Sequence, residues 1–157
     1  MAEPVGTLEW NMGQLTTSMH LDEDDVRSYF TDGRRVSFII ERRIAKHLKG
    51  TLARSEGASW DVFDPDGGKW EVRSITKTVY FCPSKMVGSG RRFKRKGFLQ
   101  KLNQIEGYIV ADITLFPSIP FWILTSATVH SWWKNGKLGK KSKISRENVL
   151  KLIGELP

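Results

Sequence analysis

The feature that most restricts the fold is a pair of strand-like segments joined by a tight turn. Residues 59–63 and 69–80 are rich in aromatic and β-branched side chains, which favour extended structure. Between them lies the sequence Asp64-Pro65-Asp66-Gly67-Gly68, whose residue types are typical of turns. We therefore predict a β-hairpin, with Asp64 and Asp66 acting as turn formers.

The hairpin follows a helical pattern. Val36, Ile40, Ile44 and Leu48 recur every four residues, and Gly50 follows them, so we predict an amphipathic helix over residues 34–49. Weaker patterns predict further helices over residues 22–30, 98–105, 125–133 and 145–153, and further strands over 108–116 and 119–124. This alternation predicts an α/β fold, with a mixed central sheet flanked by helices.

The charges are unevenly distributed along the chain. Residues 1–33 contain seven acidic residues and one Arg, although the whole chain has a formal net charge of +8. We predict a single domain over residues 1–157, in which 1–33 is a weakly structured acidic N-terminal segment. Its acidic run, residues 22–25, is suited to the start of a helix, and shielding of a basic surface is the alternative.

The composition limits the classes of function. A pI near 9.7 indicates a polyanionic partner, either nucleic acid or an anionic membrane surface. Cys82 is the only cysteine, which excludes an intrachain disulfide and a cysteine-based zinc site. The apolar runs are short, and we see no signal peptide, so we expect a cytoplasmic protein without membrane contact.

Two carboxylates flank the predicted turn. Asp61 lies on the first strand and Glu71 on the second, and strand alternation puts Lys69, Glu71 and Arg73 on one face. Converging carboxylates bind hard divalent cations such as Mg²⁺, with Mn²⁺ as the alternative, and such a site suits phosphodiester hydrolysis. An adjacent cation can stabilise charge that develops on the phosphate. An ordinary hairpin with solvated charges is the alternative.

These residues resemble the motif of the PD-(D/E)xK nuclease superfamily. The match is Asp61, ten residues to Glu71, then one residue to the basic Arg73, and it looks most like small type II restriction endonucleases. The helix around Glu41 is similar to the first helix of archaeal Holliday-junction resolvases, in which a helix Glu joins the metal site. The resemblance implies a restriction-endonuclease-like fold over roughly residues 34–130.

The resemblance also implies an activity and a set of roles. It makes Asp61, Glu71 and Glu41 metal ligands, and it assigns catalysis to Asp61, Glu71 and Arg73. Lys69, on the same strand face, is the substitute for Arg73. The family's usual Lys is replaced by Arg73, which cannot act as a base but can stabilise phosphate charge. We expect a Mg²⁺-dependent DNA endonuclease, and the resemblance implies a homodimer. A Holliday-junction resolvase and a catalytically inactive DNA-binding protein are the alternatives.

Two basic runs predict the surface that contacts DNA. Residues 85–101 contain seven basic residues and no acid, and residues 134–146 contain six more, also without an acid. Dense cations on a flexible loop suit contacts with phosphates, and a solvated basic loop is the alternative. The predicted DNA-binding residues are Lys85, Arg91, Arg92, Lys94, Arg95 and Lys96.

Two further patterns have structural interpretations. Trp132 and Trp133 favour a helix packed on the sheet, with a base-stacking platform as the alternative. Asp112 interrupts an apolar strand, which indicates a member of a polar network or an edge residue rather than a catalytic group.

Overall fold

A computed structural model describes residues 2–55 and 58–157 of the chain. Within these ranges it contains six α-helices and eight strands in a mixed α/β arrangement. The helices are α1 (Met12–Met19), α2 (Glu23–Phe30), α3 (Gly33–Leu48), α4 (Arg95–Gln104), α5 (Ser126–Lys134) and α6 (Arg146–Gly154). The strands are β1 (Gly6–Glu9), β2 (Thr51–Leu52), β3 (Val62–Phe63), β4 (Lys69–Ile75), β5 (Thr78–Tyr80), β6 (Gly107–Asp112), β7 (Ser118–Thr125) and β8 (Lys143–Ser145).

The central sheet has six strands in the order β1-β7-β6-β4-β3-β2. Only β4 and β6 are parallel among its described pairs, and the other neighbours are antiparallel. A parallel pair needs a long crossover, and here the crossover contains α4. The predicted mixed sheet with flanking helices is therefore confirmed at this level.

Two apolar cores lie on opposite faces of the sheet. One contains buried residues of α2 and α3, and the other contains buried residues of α4, α5 and α6. Val36, Ile40 and Ile44 are fully buried, as the period of four predicts. Asp32 begins α3, since its carboxylate accepts the Arg34 backbone N–H at 3.0 Å. These contacts fix α3 against the sheet.

The prediction of weak structure for residues 1–33 differs from what is observed. Most of this segment forms β1, α1 and α2, and β1 pairs with β7 from Gly6↔Phe121 to Glu9↔Ser118. Such pairing depends on residues more than a hundred positions away, which local sequence patterns do not report. The predicted helix near residue 22 is confirmed, with Asp22 as its N-cap.

The hairpin has the predicted turn but shorter strands. The predicted second strand, residues 69–80, is divided, because Thr76 N–H and Oγ1 donate to the Thr78 carbonyl and turn the chain away. Beyond this turn β5 pairs with β8 in a separate two-stranded sheet. The predicted strand over residues 108–116 likewise ends at Asp112.

No helix in the described ranges is both long enough and apolar enough to cross a membrane.

Candidate active site

A cavity of about 580 Å³ opens between the first half of α3 and strand β4. Glu41, Asp61, Glu71 and Arg73 all line it. Glu41 comes from α3, Asp61 immediately precedes β3, and Glu71 and Arg73 project from β4. The fold thus brings together three of the predicted acidic residues and the predicted cation.

Glu71 is the most constrained of the three acids. Its side chain is buried, and Oε1 accepts a hydrogen bond from Arg73 Nη1 at 2.5 Å. Oε2 accepts one from Lys101 Nζ, also at 2.5 Å. Charge-assisted bonds of this kind are the strong ones inside a protein. Glu71 therefore forms salt bridges with two cationic side chains, Arg73 and Lys101.

Lys101 is a site residue that the sequence analysis does not identify. It belongs to the basic run over residues 85–101, which predicts contacts with phosphates, but it lies in α4 with only 7% of its surface exposed. Besides the Glu71 contact, its ammonium group donates to the Ser59 carbonyl. The available signal was the position of Lys101 three residues after Phe98, which is fully buried on the same helix.

Arg73 is held on every side of its guanidinium. Nη1 contacts Glu71, Nη2 donates to the Cys82 carbonyl at 3.1 Å, and Nε donates to the Tyr80 carbonyl at 3.2 Å. Burial lowers the pKa of Arg73, but the charge of Glu71 raises it, and the net direction is upward. Arg73 consequently stays cationic and serves as a fixed positive charge in the cavity wall.

Asp61 and Glu41 are in a different electrostatic situation. Burial, followed by the charge of Glu71, raises the pKa of Asp61 to about 6, although its Oδ2 accepts the Val72 N–H at 2.8 Å. Burial, followed by the charge of Asp61, raises the pKa of Glu41 to about 7. Neither carboxylate forms a salt bridge with any described residue. Two neighbouring acids that raise each other's pKa and form no salt bridge are suited to binding a positively charged ligand.

The acids of the cavity could hold a divalent metal as a pair rather than as a trio. No group of three or more potential ligands in residues 2–55 and 58–157 is arranged to hold a metal ion. Mg²⁺ commonly takes only one or two carboxylates and completes its shell with water. Glu41 and Asp61 provide such hard oxygen donors, whereas both oxygens of Glu71 are engaged by cations.

Lys69 is not brought into this cavity. Its ammonium group lies 4.4 Å from the centre of the Trp60 ring, in a cation–π contact. The cavity lining contains Glu71 and Arg73 but not Lys69. Lys69 begins β4 beside the turn, opposite Phe63, and this end of the hairpin points its cation at the indole.

The predicted DNA-binding residues all lie on the surface. Each of them is exposed: Lys85, Arg91, Arg92, Lys94, Arg95 and Lys96. Arg91 Nη1 donates to the carbonyl of Ser84, a residue of the cavity lining, at 3.3 Å. Lys141, from the second basic run, donates to the carbonyls of Gly88 and Arg91. The two basic runs therefore meet beside the carboxylate cavity.

A short segment connects this surface to Arg73. Ser142 Oγ accepts the backbone N–H groups of Phe81 and Cys82, at 3.1 and 2.7 Å. The carbonyls of Tyr80 and Cys82 in turn accept from Arg73. The second basic run thus supports the backbone that holds the cation.

Two smaller predictions are also settled. Trp132 is buried on α5, which confirms a structural role, and Trp133 stacks with His130 beside it. Asp112 is fully buried and joins Arg146 and Thr114 in a polar network, as one of its two interpretations required.

The turn residue Asp64 accepts three hydrogen bonds within the hairpin. The donors are the backbone N–H groups of Asp66 and Gly68 and the indole of Trp70, at 2.8–2.9 Å. This confirms Asp64 as a turn former.

No protein-family model, curated protein or solved structure matches the chain.

Proposed function

We propose that this protein is a Mg²⁺-dependent DNA endonuclease with a restriction-endonuclease-like fold. One observation carries the proposal. Acids from three separate elements, Glu41, Asp61 and Glu71, line a single cavity with a buried cation, and exposed basic loops adjoin it. Carboxylates in a cleft whose pKa values are strongly perturbed are typical of functional sites.

The charges of the cavity are suited to a phosphodiester. Glu71 is balanced by two cations, so the trio with Arg73 and Lys101 carries one net positive charge. Glu41 and Asp61 would hold the metal, which supplies Lewis-acid activation of the phosphate and of water. With both acids ionised, a divalent ion cancels their charge, and the positive charge fixed at Arg73 remains for the phosphate.

Each chain residue then has a defined role. Arg73 directs its guanidinium charge into the cavity and stabilises negative charge that develops on the phosphate. Lys101 is a positioning residue, because it neutralises Glu71 and is absent from the cavity lining. Asp61 is oriented by the Val72 N–H, which leaves Oδ1 as the oxygen available for a ligand.

The order of elements supports the fold part of the proposal. Helix α3, the hairpin of β3 and β4, helix α4 and strand β6 occur in this order along the chain, with the short strands β2 and β5 between them. This helix–hairpin–helix–strand order agrees with the resemblance, which rests on the motif of Asp61, Glu71 and Arg73. The homodimer follows from the same resemblance, because the cleavage of both strands of a duplex generally needs two active sites.

The basic loops support DNA as the polyanion. We expect about five to eight phosphate contacts, so log affinity should fall against log salt with a slope of about −5 to −7. Neutralising the exposed cluster Arg91, Arg92, Lys94, Arg95 and Lys96 should flatten this slope. Fluorescence anisotropy across a salt series measures it, and an unchanged slope would remove this loop from the interface.

A cleavage assay tests the activity. Plasmid duplex, single-stranded DNA and a four-way junction are each incubated with protein and either Mg²⁺ or EDTA. We expect Mg²⁺-dependent cleavage that is lost in Asp61→Asn and kept in Asp66→Asn, a matched substitution in the exposed turn of the same hairpin. A preference for the four-way junction would favour the resolvase alternative.

Metal binding has a readout that does not require activity. At pH 8, Mg²⁺ should raise the melting temperature of the wild type, because a ligand that binds only the native state stabilises it. Asp61→Asn should abolish this shift, and Asp66→Asn should retain it. A shift of equal size in both variants would exclude Asp61 as a ligand.

A second candidate function is DNA binding without cleavage. The specific observation in its favour is that Arg73 and Glu71 spend their donors and acceptors on internal bonds. In that case the wild type binds DNA with the predicted salt slope but cuts none of the three substrates in Mg²⁺ or Mn²⁺.

A further inference from the structure

The outer face of α3 presents cations and one aromatic ring to solvent. The exposed residues of α3 and its C-cap are Arg34, Arg35, Phe38, Arg42, Lys46, His47 and Lys49. Most of them recur at intervals of three or four residues, so they lie along one side of the helix. Glu41 is the only acid in α3, and it is half-buried at the cavity. This face is therefore a second cationic surface, separate from the loop at residues 85–96.

Phe38 is unusual on such a surface. Its exposed fraction is 54%, the largest among the exposed large apolar residues in the described ranges. The Arg42 guanidinium lies 3.3 Å from the ring centre, and its Nη1 donates to the Phe38 carbonyl at 3.1 Å. Arg42 thus fixes the ring from one side while more than half of the side chain remains in contact with solvent.

A groove adjoins this ring. It has a volume of about 290 Å³. The smallest pockets in which proteins bind small molecules have a similar volume, about 300 Å³. Phe38, Arg42 and Trp60 are among its lining residues. The residues that it shares with the carboxylate cavity are Ser37, Glu41 and Asp61. A ligand in the groove is therefore next to the proposed metal ligands.

Resting on the nuclease function proposed above, we infer that this groove binds a nucleobase of single-stranded DNA. The base stacks on Phe38, and the cations of α3 contact the flanking phosphates. An aromatic ring beside a cationic track is the arrangement by which proteins bind single strands, since every base has a π-face. A base inside an intact duplex is already stacked and paired, so it cannot reach such a ring without being extruded.

A base bound in the groove restricts the substrates of the site to DNA with an unpaired stretch. A strand anchored through one base in the groove continues into the cavity formed by Glu41, Asp61 and Arg73. The preferred substrates are then frayed ends, gaps, flaps or other DNA with an unpaired stretch. Stacking does not discriminate strongly among bases, so we expect little sequence preference from this contact.

Binding in the absence of metal tests the groove independently of cleavage. Anisotropy is measured in EDTA with a labelled oligothymidylate and with a duplex of the same length. We expect Phe38→Leu to weaken single-strand binding by about 5- to 100-fold, the range for one base–aromatic stack. Phe38→Tyr, which keeps an aromatic face, should remain within about twofold of wild type. Leu115→Ala, at another exposed apolar residue, is the matched control and should change nothing.

Three results would overturn the inference. The first is equal single-strand affinity of the Leu and Tyr variants, and the second is the same loss for duplex as for single strand in Phe38→Leu. The third is tighter binding of oligouridylate than of oligothymidylate, which would reassign the groove to RNA. If the predicted variant pattern holds but no DNA is cut in Mg²⁺, the nuclease proposal fails while the single-strand groove stands.

Discussion

Two buried carboxylates, Glu71 on β4 and Asp112 at the end of β6, lie on neighbouring parallel strands. The Asp112 carboxylate accepts hydrogen bonds from Nε and Nη2 of Arg146, at 2.8–3.2 Å, and from the Thr114 hydroxyl, at 2.6 Å. Glu71 is bound by two cations, as described above. Each acid is well satisfied when it is considered alone.

The neighbours of these two acids differ. The Asp112–Arg146 pair has matched charges and takes no part in the carboxylate cavity. Around Glu71, two further acids have pKa values raised by burial and by mutual repulsion, and they face an open cavity. A matched pair destabilises the fold only when one partner is removed, whereas an excess of buried acid costs stability by itself and indicates a site for a cation. The environment of a buried carboxylate therefore indicates its role better than burial alone.

The largest expected effect is the loss of cleavage rate when one of the acids without a salt bridge, Asp61 or Glu41, is neutralised. Asp61→Asn and Glu41→Gln should each lower the rate by about 10²–10³ or more, the scale on which single electrostatic groups act in active sites. Single-turnover cleavage in Mg²⁺ measures the effect, and Asp66→Asn should keep the wild-type rate. A wild-type rate in Asp61→Asn would break the distinction drawn between the two carboxylate environments.

The next effect is on stability at the matched pair. Asp112→Ala leaves Arg146 without its partner and should lower the free energy of unfolding by about 3 kcal/mol, the lower end for broken buried pairs, because Arg146 is partly exposed. Urea denaturation measures this loss. A change below about 1 kcal/mol would mean that removing one partner of the matched pair does not destabilise the fold as argued.

Substitution of Lys101 should affect both the stability and the cleavage rate. Lys101→Met removes one of two cations from buried Glu71. We therefore expect the free energy of unfolding to fall by about 2 kcal/mol and cleavage to become slower. Lys101→Arg keeps the charge and should recover most of both. A merely structural role predicts a stability loss with an unchanged rate per folded molecule, and that result would remove Lys101 from the reaction.

The smallest effect is the dependence of stability on pH. Glu41 binds its proton more tightly when folded, with a pKa of about 7 against 4.5, and Asp61 has about 6 against 3.8. The folded state therefore holds more protons in this range, so stability is highest below pH 4 for these groups and falls as the pH rises to about 7.

Glu41→Gln removes part of that fall. Because Glu41 is half-buried and partly screened by solvent, we expect the free energy of unfolding of Glu41→Gln to exceed that of the wild type by about 1–2 kcal/mol at pH 8 without metal. Denaturant titrations at pH 5 and pH 8 measure it. A variant less stable than wild type at pH 8 would contradict the interpretation of Glu41 as an unpaired acid.

The sequence predicted the parts that depend on local pattern. The period of four identified α3 and its buried face, and the Asp-Pro-Asp-Gly-Gly turn identified the hairpin. Strand alternation then predicted that Glu71 and Arg73 share a face, as their contact confirms. Each of these inferences needs only residues that are close together in the chain.

The missed features depend on distant contacts. Lys101 is thirty residues from Glu71, and its spacing from Phe98 indicates a buried face of α4 but not the partner that neutralises it. Strand β1 depends on β7, and β5 depends on β8, across long stretches of chain. The same limit applies to Lys69, whose cation lies over Trp60 because of how the hairpin end packs.

The adjacent residues Lys141 and Ser142 have a mechanical consequence. The Lys141 ammonium group donates to two carbonyls of the basic loop, and Ser142 accepts from the backbone that positions Arg73. One peptide bond joins these two attachments. If the proposed DNA contact drew the Lys141 ammonium away from the loop, the neighbouring Ser142 would carry the displacement to the backbone that supports the Arg73 guanidinium.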